Sequence, residues 1–185
     1  MTFQPARQLF TVEEYYKMVE VGIIKPTDRV ELINGEIIKM TPIKSNHASI
    51  VDELVEQIIV QLHGKIVVRG QNPIILGETS EPEPDVVIAK FKKDKYRDNH
   101  PKAKDILLVI EVADSSLKYD KTIKRSLYAK AGIPEYWIIN IPDKKIEIYR
   151  NSDGKDYTTK RNIKSNRKIV CQLIDFELKY TSFFS

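Results

Sequence analysis

The stretch ILLVIEVA, residues 106 to 113, is the most apolar run of the chain and carries a single charge, Glu111. Near-continuous apolar character indicates a strand that is buried on both faces, as in the centre of a mixed or parallel sheet. A carboxylate in such surroundings is unfavourable unless it is paired or bound to a metal ion. Glu111 therefore marks both the centre of the predicted sheet and the first candidate functional residue.

A second carboxylate, Asp85, precedes an apolar strand within EPEPDVVIAK, residues 81 to 90. If this strand lies beside residues 106–113, Asp85 and Glu111 converge at one edge of the sheet. Mg²⁺ takes oxygen ligands, usually only one or two protein carboxylates, and keeps positions for water and a substrate phosphate. The pair therefore predicts a Mg²⁺ or Mn²⁺ site. The alternative is that Asp85 caps a turn and Glu111 pairs with a lysine or arginine.

Lys124 is the third candidate and belongs to a helix predicted over residues 121–131, KTIKRSLYAKA. At ~100° per residue it lies at the margin of the apolar side, and Tyr128 follows along the same side. From there its ammonium group can reach the sheet and stabilise charge that develops on a phosphate. The alternative is a lysine whose methylene groups only cover apolar surface.

Glu31 and His47 also occupy positions that the apolar pattern assigns to buried side chains. With an Asn-Gly hairpin turn at residues 34–35, Glu31 opposes Ile38 on an apolar face. It is either a further acidic member of the site or paired with a basic neighbour. His47 lies on the apolar side of a helix predicted over residues 46–63. It is a satisfied core or capping histidine, a metal ligand, or a donor to a ligand.

Length and composition favour one soluble domain that covers residues 1–185. Apolar residues make up 42% and charged residues 30%, which are ordinary for globular proteins. No run of ~18 apolar residues predicts a membrane helix, and MTFQPARQLF at the N-terminus lacks the apolar core of a secretory signal. A cytoplasmic protein without membrane contact is therefore expected. The single cysteine, Cys171, excludes an internal disulfide and a cysteine-rich zinc site.

Apolar alternation and turn signals predict an α/β (α+β) fold in which a mixed central sheet is flanked by helices. Thr11 followed by Glu14 is a capping box that opens a short helix, and Asp120 is predicted as the N-cap of the helix that carries Lys124. Strands are predicted at residues 65–70, 72–76, 84–89, 106–113, 135–141, 145–151 and 168–178.

Residues 90–104, KFKKDKYRDNHPKAK, concentrate basic side chains, although the net charge of the whole chain is only +4. A basic loop of this kind can follow a nucleic-acid backbone by displacing its counterions. The alternative is a solvated basic face without a partner. The candidate contacts to DNA are Lys92, Lys93, Lys95 and Arg97.

Pro-Asp before one apolar strand and Glu111 on a later one resemble the PD-(D/E)XK motif of restriction-endonuclease-like nucleases, with Ala113 where that motif has its lysine. Longer strings resemble the bacterial Uma-two family from about residue 10 to residue 150. They are ELINGEII, a helix opening at His47, PEPDVVI, IEVADSS and DKTIKRSLYAKAGIPEYWIIN. This resemblance implies a restriction-endonuclease-like core in which the lysine has moved to the following helix.

Carried over residue by residue, the resemblance implies that Asp85 and Glu111 bind the metal ion and that Lys124 is the displaced lysine. Glu31 and His47 match further family positions. The implied function is a Mg²⁺-dependent endonuclease that hydrolyses phosphodiester bonds in DNA.

Two other functions stay open at this point. One is a nuclease-fold module that binds nucleic acid or a protein without cutting, which Ala113 favours. The other is a hydrolase of small phosphorylated molecules, which would have a closed pocket. The resemblance also brings a homodimer into consideration, because many endonucleases cut two strands as pairs.

Overall fold

A computed structural model of the protein describes residues 6–165 and 167–184. The first elements in it are a helix and a hairpin. They are helix α1 (Val12–Glu20) and the antiparallel strands β1 (Val30–Ile33) and β2 (Glu36–Lys39). The predicted capping box is confirmed, because the Thr11 hydroxyl accepts from the Glu14 N–H and the Glu14 carboxylate accepts from the Thr11 N–H. The turn is confirmed too: residues 34 and 35 have φ of 51° and 80°, as a type I′ hairpin requires.

The central sheet has six strands among the described residues, and their spatial order follows the chain. Neighbouring strands are antiparallel except β5 and β6, which run parallel, so the predicted mixed sheet is confirmed. The ILLVIEVA stretch is β5, an inner strand that is buried over most of its length. In sheet order the strands are β3 (Ile66–Gly70), β4 (Val86–Lys90), β5 (Ile106–Ala113), β6 (Glu135–Asn140), β7 (Lys145–Ser152) and β8 (Tyr157–Ile163).

Hydrophobic cores cover both faces of the sheet, because successive strand residues point to opposite sides. Helix α2 (Ser45–Leu62) packs on one face, where Leu54 and Ile58 lie in the same core as Ile88 and Ile110. This confirms that a helix flanks the central sheet, as predicted. The other face has a core that includes side chains of the crossover between β5 and β6, which are Tyr128 and Ala129 beside Val87, Val109 and Tyr136.

The crossover from β5 to β6 is a continuous helical segment. It comprises α3 (Leu117–Tyr119), a π-helical turn (Asp120–Lys124) and α4 (Arg125–Lys130). In the π turn, the Arg125 N–H donates to the carbonyl of Asp120, five residues earlier. Such turns are rare and are frequent at functional sites.

The prediction that Asp120 is a helix N-cap is wrong. The helical segment begins three residues earlier, at Leu117, and the Asp120 side chain is buried inside it. Its carboxylate accepts from the Ser116 hydroxyl at 2.6 Å instead of from the backbone of a first turn.

The strand predicted at residues 72–76 is also wrong. Gln71 has a φ of 49°, which turns the chain out of β3, and Pro73 has no N–H to donate. Only an isolated bridge joins Ile75 to Lys102. Ile74 is nevertheless fully buried. The segment has an apolar sequence because its side chains are buried, although its backbone does not form a strand of the sheet.

The C-terminal part forms a small antiparallel sheet of its own. The single strand predicted at residues 168–178 is instead the pair β9 (Lys168–Val170) and β10 (Glu177–Lys179), and Cys171 is buried between them in sequence. The edge strand β8 was missed because its sequence, YTTKRNI, is mostly polar. An edge strand needs few apolar side chains.

Glu147, on β7, fastens the helical segment to the sheet. Its side chain is fully buried, and its carboxylate is within 2.8 Å of Lys121 Nζ, 2.9 Å of Lys160 Nζ and 3.4 Å of Lys145 Nζ. Lys121 belongs to the π turn, whereas the other two lysines belong to β7 and β8. Burial opposes the ionisation of Glu147, but the hydrogen bonds from Lys121 and Lys160 outweigh it and hold its pKa well below the ordinary value.

Replacing Glu147 with Gln is expected to lower the free energy of unfolding at neutral pH by about 2–3 kcal/mol, because the partly exposed lysines lose a shared partner. Since the pKa of Glu147 is depressed in the folded state, its stabilisation is complete above the unfolded value of ~4.3 and is lost as pH falls below it. Urea unfolding across this range measures the difference. Glu177→Gln, in an exposed ion pair with Lys168, is the control and should change stability little. Equal stability of Glu147→Gln and wild type at neutral pH would contradict the assignment.

Candidate active site

Asp85 and Glu111 meet where β4 begins and β5 ends. The two strands pair directly, which is the condition for the two carboxylates to converge. The Asp85 N–H donates to Glu111 Oε2 at 3.3 Å, and the Val112 N–H donates to Asp85 Oδ2 at 2.8 Å. Backbone pairing therefore fixes the two carboxylates next to each other at one edge of the sheet.

Lys124 reaches this edge from the π turn and has two carboxylate partners. Its Nζ lies 3.0 Å from Glu111 Oε1 and 3.3 Å from Glu31 Oε2, and the side chain is almost completely buried. Burial disfavours the ammonium, but Glu111, Glu31 and Asp120 outweigh it and raise the pKa of Lys124. Lys124 is therefore protonated at any working pH.

Glu31 comes from the hairpin, which lies outside the central sheet. A bridge between Leu32 and Glu81 holds β1 against the segment that leads into β4. Glu31 Oε2 accepts from the Glu83 N–H at 3.2 Å and faces Lys124. Glu31 is therefore paired with a basic residue, Lys124, and also lies beside the other acidic side chains.

His47, in the first turn of α2, contacts Asp85 directly. Its Nε2 lies 3.1 Å from Asp85 Oδ2, and this hydrogen bond raises the pKa of His47 against the opposing effect of burial. The imidazole contacts the same carboxylate oxygen that accepts from the Val112 N–H, so both groups orient the Asp85 carboxylate. The sequence left several roles open for His47. This geometry favours the role of hydrogen-bond donor to Asp85, which is a candidate metal ligand.

Asp120 and Tyr128 belong to the same centre and were not recognised as site residues from the sequence. Tyr128 donates its hydroxyl to Glu111 Oε1 at 2.7 Å. Asp120 lies one helical turn before Lys124 and is 2% exposed. Helical spacing from Lys124 was the available signal for both residues, and the N-cap interpretation hid it for Asp120.

Acidic groups outnumber cations in this centre. Complete burial raises the pKa of Glu111 well above its ordinary value, although Lys124 opposes the shift. Burial likewise raises the pKa of Asp120 to about 6. For Asp85, burial is outweighed by the hydrogen bond from His47, so that its pKa is lowered. When these carboxyl groups and Glu31 are ionised, their four negative charges exceed the positive charge of Lys124 and a protonated His47.

A cavity of about 320 Å³ lies over these groups. Its lining includes Arg29, Lys39 and Lys44, which bring positive charge to the site. The basic segment predicted to contact DNA lies elsewhere: it follows the last residue of β4, roughly 16 Å along the strand from Asp85. In that segment Lys92 is paired with Asp94.

The donor set fits a hard divalent cation. Carboxylate oxygens are the ligands that Mg²⁺ and Mn²⁺ prefer, and the surplus negative charge around Glu111 and Asp120 is what such a cation would neutralise. Residues 6–165 and 167–184 contain no group of three or more His, Cys, Asp or Glu side chains arranged to hold a metal ion. Mg²⁺ usually takes only one or two protein carboxylates, so the pair Asp85 and Glu111 is compatible with such an ion.

Comparison with known families shows which family the chain belongs to. A family model described as "Putative restriction endonuclease" matches residues 12–180. The chain is a member of the Uma-two family. The resemblance stated from the sequence is thereby confirmed, and in this Uma-two protein it extends beyond residue 150 into the C-terminal sheet.

A solved structure from Anabaena variabilis ATCC 29413, described as "a putative nuclease belonging to DUF820", matches the Uma-two chain with a TM-score of 0.70. The two are 17% identical, and the match covers 95% of this chain and 97% of that one. At this identity the likeness establishes the fold, which is restriction-endonuclease-like. No curated protein matches the chain.

In the part of the chain that the structure describes, no helix is both long and apolar enough to cross a membrane. Cytoplasmic residence and homodimer formation stay predictions.

Lys124→Met removes the buried ammonium and keeps an unbranched side chain. Because Glu111 and Glu31 then lose their shared partner, we expect the free energy of unfolding near pH 8 to fall by about 3–5 kcal/mol. Burial raises the pKa of Glu111 and of Asp120 in the folded state, so the folded variant binds protons more readily than the unfolded chain. The loss should therefore shrink as pH falls toward about 5.

Urea unfolding at the two pH values checks this expectation. Lys118→Met is the matched control, because Lys118 is an exposed lysine of the same helical segment. It should change stability by less than about 0.5 kcal/mol. A loss for Lys124→Met that is equal at both pH values would contradict the shared-partner arrangement.

Proposed function

We propose that this Uma-two protein is a Mg²⁺-dependent endonuclease that hydrolyses phosphodiester bonds in DNA. The observation that carries the proposal is the Lys124 ammonium, 6% exposed and held between Glu111 and Glu31 at the floor of a cavity. A fixed positive charge beside surplus carboxylates suits a reaction that brings a cation and a phosphate together. Membership of the Uma-two family supports a nucleic-acid substrate.

The carboxylates of Asp85 and Glu111 would hold the cation. When bound, such an ion supplies Lewis-acid polarisation of the scissile phosphodiester. His47 keeps the Asp85 carboxylate oriented through its hydrogen bond, and the Val112 N–H fixes the same oxygen from the backbone. Glu31 and Asp120 add negative charge close by.

Lys124 would act on the phosphate itself. An ammonium group has three N–H donors, and among the described residues its close carboxylate partners are Glu111 and Glu31. One donor therefore remains for a non-bridging oxygen of the substrate. Directed from a buried position, it stabilises the negative charge that accumulates in the transition state.

A module that binds nucleic acid without cutting it is the second candidate function. Ala113 favours it, because the motif lysine two residues after the acid is replaced by a fully buried alanine. The two candidates make opposite predictions about turnover.

Incubation of the purified protein with supercoiled plasmid and with single-stranded DNA, in Mg²⁺, Mn²⁺ or EDTA, separates them. The endonuclease is expected to nick DNA only with the metal ions, and Lys124→Met should lower the rate at least about a hundredfold. Lys118→Met should cut like wild type. Tight binding without cleavage in all three conditions would favour the module.

Metal binding is measured separately, by calorimetric titration with Mn²⁺ and by the shift of the melting temperature. Asp85→Asn removes one charged ligand, so both the Mn²⁺ heat and the thermal shift should be lost or weakened at least about tenfold. Asp52→Asn, on the exposed side of α2, should bind like wild type. Unchanged Mn²⁺ affinity in Asp85→Asn would remove Asp85 from the metal site.

A further inference from the structure

The groups proposed to act on the phosphate lie at the bottom of the cavity and not on a surface that DNA can simply touch. Glu111 is 3% exposed and Lys124 is 6% exposed. A phosphodiester bond must therefore enter the cavity before it can contact either side chain. The size and walls of the cavity then limit which form of DNA can react.

The cavity is small for a nucleic acid. Its volume of about 320 Å³ is at the lower end of the ~300–1,000 Å³ that small-molecule sites span. Such a space suits one nucleotide with its phosphate, whereas a base pair with both strands needs far more.

The walls suit a nucleotide that is no longer paired. One wall is apolar and is formed by Ile38, Met40, Pro42 and Ile43, on β2 and the loop that leads to α2. Tyr119 supplies an aromatic ring from the helical segment that follows β5. An unpaired base exposes its apolar faces to such side chains, whereas a base inside a duplex keeps them stacked on its neighbours.

A solvent-exposed ion pair belongs to the lining of the cavity. Lys44, before α2, lies 2.8 Å from Asp114, after β5, and both residues line the cavity. The two side chains are 70% and 37% exposed, so the pair is weak and opens readily. A substrate phosphate can therefore replace Asp114 as the partner of Lys44.

From these observations we infer that the DNA substrate reacts as an unpaired nucleotide, supplied by single-stranded DNA or by an unpaired end. The inference rests on the proposed function. A closed duplex would have to break its pairing and stacking to place one nucleotide in the cavity, while single-stranded DNA has already lost them.

Three fluorescent DNA probes of one sequence test the inference: a single strand, a duplex with both ends closed by hairpins, and the same duplex with an unpaired overhang. Anisotropy measures their binding in Ca²⁺ and in EDTA, so the result does not depend on cleavage. The single strand and the overhang should bind at least about tenfold more tightly than the closed duplex. Equal or tighter binding of the closed duplex, or no binding of any probe, would overturn the inference.

A variant that places a negative charge on the cavity wall tests the location of binding. Ile43→Glu puts a carboxylate at a 38% exposed position of the wall, where it repels the phosphates of DNA, and should weaken single-strand binding about tenfold. Ile59→Glu adds the same charge at a 42% exposed position of α2 outside the cavity lining and should leave binding unchanged. Melting curves confirm that both variants fold. Unchanged single-strand binding in Ile43→Glu would overturn the inference.

Cleavage of the same probes in Mg²⁺ or Mn²⁺ keeps this inference separate from the proposed function. If wild type cuts the single strand and the overhang but not the closed duplex, both are supported. If it cuts none of them but still prefers the single strand in binding, the endonuclease proposal fails and the preference for unpaired DNA stands. Cutting of the closed duplex at the rate of the single strand would overturn the inference alone.

Discussion

The buried ammonium of Lys124 is the interaction on which this arrangement depends. It lies within 3.0 Å of Glu111 and 3.3 Å of Glu31, two carboxylates from parts of the chain that are 80 residues apart. Without a cation between them, two buried carboxylates would repel each other and would have to take up protons. The lysine therefore makes it possible for the hairpin and the central sheet to bring their acids to one point.

The contact of Lys124 with Glu111 and Glu31 holds three elements together: the hairpin, the central sheet and the π turn. Each element is also fixed in place by a contact of its own. The hairpin is tied to the segment before β4 by the bridge between Leu32 and Glu81. Asp85 and Glu111 are set by the β4–β5 ladder. The π turn is tied to β7 and β8 through Glu147, which does not line the cavity but binds Lys121 on the same turn as Lys124. Two buried ionic contacts therefore position the π turn: Lys124 with the carboxylates of the site, and Lys121 with Glu147.

The sequence allowed the main features to be predicted because they depend on local patterns. The apolar run around Glu111 identified an inner strand, and the Asn-Gly turn placed Glu31 opposite Ile38 as observed. Asp120 escaped prediction because an aspartate before a helix is the usual sign of an N-cap, and the π turn that buries it depends on tertiary contacts. The strand β8 escaped because its pairing comes from backbone hydrogen bonds at a sheet edge, with few apolar side chains to reveal it.

Ala113 explains why the amine comes from a helix in this chain. A side chain two residues after Glu111 points to the same face of β5, which is the face covered by the helical segment. Ala113 is fully buried there in the same core as Tyr128 and Leu117. A lysine at that position would have to fit beneath the helix, whereas an alanine lets the helix pack closely on the sheet. Close packing in turn brings Lys124 and the Tyr128 hydroxyl within hydrogen-bond distance of Glu111. Ala113 on the strand and Lys124 on the helix therefore act together. The alanine leaves room for the helix, and the lysine places a positive charge beside Glu111.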